Sequence, residues 1–150
     1  MPQADTPQRH STFICSRGTL DGAYPPLILA VNTVRLGGAA SVFYTFMGIN
    51  ILRPGCPAKL RFHPPGFLGA IPGMSLMATF MMRRKIEAAG IPDVPTLLET
   101  AQLEGVRLVA CKMTMDMMGL GPSDLIDGIS VMTAEEYIKL AEACQINMFT

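Results

Sequence analysis

Two β-prone runs flanking one helix-length segment constrain this chain more than any other feature. Thr12 to Ser16 (Thr-Phe-Ile-Cys-Ser) is rich in β-branched and aromatic residues and stops at Arg17-Gly18, which predicts a strand closed by a turn. Ala40 to Phe46 (Ala-Ser-Val-Phe-Tyr-Thr-Phe) is a second such run. Between them, Tyr24 to Leu36 opens on Pro25 and Pro26, which suit a first helical turn, and closes at Gly37-Gly38, a helix stop. Strand, helix and strand in that succession predict a parallel crossover.

The same alternation continues. Gly73 to Ala89 has apolar residues at helical spacing (Leu76, Met77, Phe80, Met81, Ile86), and a shorter helix is expected from Pro95 to Glu104. Val106 to Ala110 is the clearest central strand, with Cys111 immediately after it. Ile129 to Met132 and Ile146 to Phe149 are short strands around a helix that Thr133 and Glu136 open with a capping box. Five strands in one open sheet, with helices on both faces, are expected. Arg53 to Pro72 holds five of the twelve prolines and predicts a long functional or mobile loop, on which Cys56 rides. Residues 1–11 are polar and expected to be a disordered lead-in, with one domain over 12–150.

A chain of 150 residues buries enough surface to fold without disulfide staples. Twelve Lys plus Arg balance twelve Asp plus Glu, so no electrostatic footprint for nucleic acid exists. Hydrophobic residues make up 49% and charged ones only 16%, which predicts that some apolar surface closes against a second subunit, as a homo-oligomer. The apolar stretches are interrupted, at Asn32 and at Pro72-Gly73, short of the ~20 residues a spanning helix needs, so no membrane segment is expected. The lead-in lacks the apolar core of a signal peptide, which points to the cytoplasm.

Cys15, Cys56, Cys111 and Cys144 form no CxxC pair and have no histidine at ligand spacing, so neither a metal site nor a disulfide framework is expected. No cofactor is expected either, because Gly37-Gly38 follows a helix instead of linking strand to helix and lacks phosphate-loop mechanics. In an open α/β sheet reactive groups gather beyond the carboxyl ends of the strands, where Cys111 stands. A following helical turn and Lys112 would favour the thiolate that sulfur transfer requires. The bland alternative is a small buried hydrophobe, and it is the expected role of Cys15 and Cys144. Cys56 is a candidate second thiol or an incidental loop cysteine.

Asp21 and Asp116 follow strand ends and are candidate acids or bases, or else turn and cap residues. Met113, Met115, Met117 and Met118 could bind copper(I), but adaptable core or interface filling explains them as well. His10 and His63 are expected to be solvated. Arg83, Arg84 and Lys85 fit the basic last turn of a helix.

Taken together, Gly18-Thr19-Leu20-Asp21, Ala23-Tyr24-Pro25-Pro26, Phe43-Tyr44-Thr45-Phe46, Pro72-Gly73-Met74, Ala110-Cys111-Lys112-Met113-Thr114-Met115-Asp116 and Ile126-Asp127-Gly128 resemble the DsrE/DsrF/DsrH-like proteins, in their DsrE-type branch. The resemblance runs from about residue 12 to the C-terminus. It implies a flavodoxin-like α/β domain with an open, mainly parallel sheet that forms homo-oligomers, commonly trimers. It also implies a sulfur carrier or sulfurtransferase that holds sulfane sulfur on a cysteine, as persulfide or thiosulfonate, and exchanges it with other carriers of rhodanese-like or TusA-like type. The reactive cysteine it implies is Cys111. A non-covalent oligomeric module for a small ligand is the alternative from a different class, and a flavin- or nucleotide-dependent enzyme a third, since fold alone does not settle function.

Overall fold

The computed structural model describes residues 9–150. Its sheet has five strands, all parallel: β1 (His10–Cys15), β2 (Ala39–Tyr44), β3 (Arg107–Cys111), β4 (Ser130–Met132) and β5 (Ile146–Phe149). Their spatial order is β4-β3-β2-β1-β5. The first four step across the sheet in chain order, and the chain then returns to lay β5 against the free side of β1, pairing Ser11 with Ile146 and Ile14 with Phe149. β1 begins at His10, so His10 and Ser11 are strand residues and not part of a lead-in; residues 1–8 of the expected lead-in lie outside the described residues.

Alternation along the strands divides the side chains between two faces. Phe13, Cys15, Val42, Tyr44, Leu108 and Ala110 join the main core beneath α1 (Leu20–Arg35) and α3 (Val94–Leu103). Phe43, Val109 and Cys111 face the other way and form a smaller cluster with Tyr137 of α5 (Ala134–Glu142). One face is thus deep, and among the described residues the other is covered by one short helix. On that thin side the Phe43 and Tyr137 rings stack with centroids 4.2 Å apart. The hydroxyls buried there satisfy one another: Ser41 donates to Thr12 at 3.2 Å, and Thr12 donates to the Tyr137 oxygen at 3.2 Å. His10 Nε2 lies 3.4 Å from the Ser41 hydroxyl, so this histidine is part of the sheet surface and not solvated as expected.

α1 starts four residues earlier than Pro25-Pro26 suggests. Thr19 is its N-cap, with the side-chain oxygen accepting from the Gly22 amide at 3.3 Å, and Asp21 sits in the first turn, where a negative charge is favoured. The two prolines lie inside the helix and leave carbonyls one turn back without amide partners. The Gly22 carbonyl, which Pro26 cannot serve, accepts instead from the Cys15 thiol at 3.6 Å.

The proline-rich connection is not structureless. It holds 3-10 segments at Pro57–Lys59 and Gly66–Ala70, preceded by a longer one at Phe46–Leu52. α2 (Met74–Ala88) follows, and it docks by its polar side: Thr79 accepts from the Phe62 amide at 2.8 Å, Ser75 donates to the Phe62 carbonyl at 3.1 Å, and Arg83 donates to the Ala58 and Leu60 carbonyls, both at 2.9 Å. Thr79 is the one buried residue of this helix. No helix among the described residues is long and apolar enough to cross a membrane.

Candidate functional site

The carboxyl ends of β1, β2 and β3 bring three loops together. Close backbone approach fixes how they meet: a Cβ on Gly48 would overlap the Cys15 carbonyl oxygen, and one on Gly18 would overlap the Met47 carbonyl oxygen. Two glycines therefore let Phe46–Leu52 lie directly on the end of β1, where the Gly48 amide donates to the Ser16 carbonyl at 3.1 Å and the Thr45 amide to the Cys15 carbonyl at 3.0 Å.

Cys111 is the last residue of β3 and the N-cap of α4 (Lys112–Met118). Its pleat position turns it toward α5, in contact with the Phe43, Val109 and Tyr137 cluster, and it is only 2% exposed. Three residues on, buried Thr114 ties α4 to the end of β2: its hydroxyl oxygen accepts from the Phe46 amide at 3.1 Å and lies 3.2 Å from the Thr45 hydroxyl. Phe46 is the one non-glycine with positive φ among the described residues, at 45°. A left-handed backbone costs a bulky residue roughly 1–2 kcal/mol, and such strain collects at functional sites. The Thr114 bond offsets part of it, and the Phe46 ring is exposed, as is its neighbour Met47.

The other candidates distribute as follows. Lys112 forms an exposed i,i+4 ion pair with Asp116, which occupies both groups beside the thiol. Asp21 remains a first-turn residue of α1. Met115 is buried and Met118 partly so, in the core beneath α4, whereas Met113 and Met117 project outward, so the four methionines do not converge. Cys56 is half-exposed in the connection and sits with His63 on a separate cavity.

The thiols divide by environment. Cys15 is fully buried and donates to the Gly22 carbonyl, and burial pushes its pKa up to about 12. Cys144 donates to the Leu140 carbonyl at 3.2 Å and is also raised by burial. Cys15 is thus a core residue as expected, whereas Cys144 is only half-buried. Tyr44, whose hydroxyl is buried without a partner among the described residues, is raised well above its usual value by burial and by the neighbouring Cys15.

A pH dependence follows. The folded protein holds the Cys15 proton up to about 12 while the unfolded chain releases it near 9.0, so this contribution to stability is complete below about pH 9 and is lost as the pH rises toward 12. Denaturant midpoints are expected to be lower at about pH 10.5 than at about pH 8, and the drop is expected to shrink in Cys15→Ala. Equal drops in both proteins would refute this assignment.

Tyr137, Thr114 and Phe46 carry no signal in the sequence that marks them as site residues. Thr114 lies inside the Ala110-to-Asp116 motif, but only the three-dimensional meeting of α4 with the end of β2 shows what it holds.

Comparison with known proteins agrees with this architecture. The chain matches the DsrE/DsrF/DrsH-like family over residues 7–149. It is 32% identical to the sulfur carrier protein DsrE2 of Allochromatium vinosum, over 95% of this chain and 98% of that protein. It is 30% identical to the uncharacterized protein YrkE of Bacillus subtilis, over 94% and 96%. Among solved structures, the YchN protein of E. coli superposes with a TM-score of 0.64 at 14% identity, covering 95% of this chain and 99% of that one. The protein MTH1491 of Methanobacterium thermoautotrophicum gives 0.55 at 16% identity, covering 94% and 99%. These two likenesses establish the parallel α/β fold, and the match across nearly the whole sequence establishes descent: the chain belongs to the DsrE/DsrF/DrsH-like family.

Proposed function

We propose that this protein is a sulfur carrier in which Cys111 accepts sulfane sulfur and passes it to a thiol of another protein. The observation that carries this reading is the position of Cys111, at the carboxyl end of β3, in a chain similar along its length to a protein named as a sulfur carrier. The Cys111 thiolate attacks the outer sulfur of a donor persulfide; the donor S–S bond breaks, the donor leaves as thiolate, and Cys111 becomes the persulfide. The reverse attack by an acceptor thiolate completes the relay, with no net oxidation and no cofactor. A thiosulfonate on the same sulfur is the second form such cargo takes. The partners are carriers of rhodanese-like or TusA-like type, and the compartment is the reducing cytoplasm, where these thiols stay free. Mass spectrometry of the protein after exposure to a persulfidated donor, followed by peptide mapping, tests the reading: one added sulfur atom on the Cys111 peptide supports it, and none removes it.

The same reading includes self-association, with the trimer that the family resemblance implies. α2 turns its polar side inward and presents Leu76, Met77, Phe80 and Met81 outward, next to Phe67, at 52–79% exposure. Together with exposed Leu68 and Ile71, these side chains make an apolar surface of the kind that closes against another subunit. The occupant is a second copy, which brings the same apolar surface to the contact; the Arg84 guanidinium lies over the Phe80 ring, 5.7 Å from its centroid. Phe80→Asp is expected to shift the assembly to monomer in light scattering; an unchanged mass would exclude α2 as the interface.

A further inference from the structure

A cavity of about 290 Å³ lies beyond the end of β1, lined by Gly18, Asn50, Cys56, Lys59, Arg61 and His63. Its lining holds two permanent cations and an imidazole and no carboxylate. In a chain whose charges balance overall, that is a local excess of one sign. Among the described residues neither Lys59 nor Arg61 takes part in an ion pair. An unpaired cationic wall attracts a small anion.

The wall is also held in place. The Arg61 carbonyl accepts from the Leu20 amide at 2.9 Å, which fastens this segment to the N-terminal end of the 16-residue α1, the positive end of its dipole. The Lys59 amide donates to the Cys56 carbonyl at 2.9 Å, and the Cys56 amide to the Arg53 carbonyl at 3.1 Å. His63 Nδ1 lies 3.3 Å from the Ser75 hydroxyl of α2, which leaves Nε2 for another partner. Asn50 contributes an amide. Ammonium, guanidinium, imidazole and amide groups in one lining are donors that an oxoanion accepts from.

We propose that this cavity binds a small divalent oxoanion, of the sulfate, thiosulfate or phosphate class, with Lys59 and Arg61 as its charge partners and Cys56 in its wall. The site is distinct from Cys111 and does not depend on the sulfur-carrier reading. Cys56 supplies the readout, because a bound anion shields it from neutral iodoacetamide.

The experiment follows carbamidomethylation of Cys56 by peptide mass in the full-length protein. Sodium sulfate and sodium phosphate, which do not react with iodoacetamide, are compared at millimolar concentration against chloride of equal ionic strength. Protection of about threefold or more, saturating with concentration, is expected from at least one divalent anion, and is expected to vanish in the Lys59→Gln/Arg61→Gln double variant. Both side chains are exposed, so the variant leaves no core cavity, and an unchanged melting temperature confirms that it is folded. Stronger protection by sulfate assigns the ligand to the sulfur oxoanions, and stronger protection by phosphate assigns it to phosphate; either supports the site. Protection no greater than that of chloride, or equal protection in the double variant, overturns it.

Discussion

Cys111→Ser is expected to lose sulfur transfer by roughly 100-fold or more, whereas Cys15→Ser, Cys56→Ser and Cys144→Ser each stay within about threefold of the wild type. A hydroxyl in place of the thiol cannot form a persulfide, and the remaining cysteines do not substitute for it. Cys15 shows why: at about pH 7.5 a thiol with a pKa of about 12 is thiolate in only about one molecule in 30,000. Cys144 is likewise raised, and its sulfur is engaged with the Leu140 carbonyl. Cys56 is reachable but lies on the cavity lined by Lys59 and Arg61 and not at the end of β3. Transfer of labelled sulfur from a persulfidated donor to an acceptor protein measures the effect. Retained transfer in Cys111→Ser would sink the carrier assignment.

The second large effect concerns access. At 2% exposure Cys111 meets no partner in the closed structure, and among the described residues the helix over it is α5, anchored there by the Tyr137 ring. Tyr137→Ala removes the stack on Phe43 and the bond with Thr12, at a cost of about 3–5 kcal/mol for a large buried aromatic. A typical domain of this size has about 5–15 kcal/mol in hand, so the variant folds but is weakened. If the loss falls on the opening of α5, 3 kcal/mol raises that opening by about 100-fold, since 1.4 kcal/mol is a factor of ten. Iodoacetamide labelling of Cys111 is expected to accelerate by up to that factor. Labelling of Cys15, which only global unfolding exposes, is expected to stay slow. Tyr137→Phe keeps the ring and is expected to label within about twofold of the wild type. Equal acceleration at Cys15 and Cys111 would mean that α5 does not open by itself.

Much of this architecture was legible in the residues. The strand run Val106 to Ala110 corresponds to Arg107–Cys111, and Ile146 to Phe149 is β5 itself. The Thr133 and Glu136 capping box forms with both reciprocal bonds, because that signal is local and complete within four residues. Where the sequence misled, a competing local signal was stronger. Pro25-Pro26 suggested a helix start and masked the true cap at Thr19, one turn upstream. Prolines between Arg53 and Pro72 suggested a bare loop, yet short 3-10 turns tolerate them.

Long-range facts had no local signal at all. Nothing in the sequence places β5 beside β1, since that pairing is set by which edge remains open after the first four strands assemble. The candidate site divides in the same manner. The strand end carrying Cys111 could be read from its residues, but its pleat direction toward a single covering helix could not. Lys59 and Arg61 escaped notice because two cations separated by one leucine are unremarkable until the fold sets them around one recess.

The thinly covered face has a consequence for a protein still being made. Cys111 leaves the ribosome 26 residues ahead of Tyr137. At synthesis rates of about 5–20 residues per second, the thiol spends roughly one to five seconds in a nascent chain that has nothing to lay over it. β1 waits longer still, because Ile146, its partner on the outer side, stands 135 residues behind Ser11. The growing polypeptide therefore carries the Cys111 sulfur uncovered, and an oxidant that meets it then acts on a protein whose covering helix has yet to be translated.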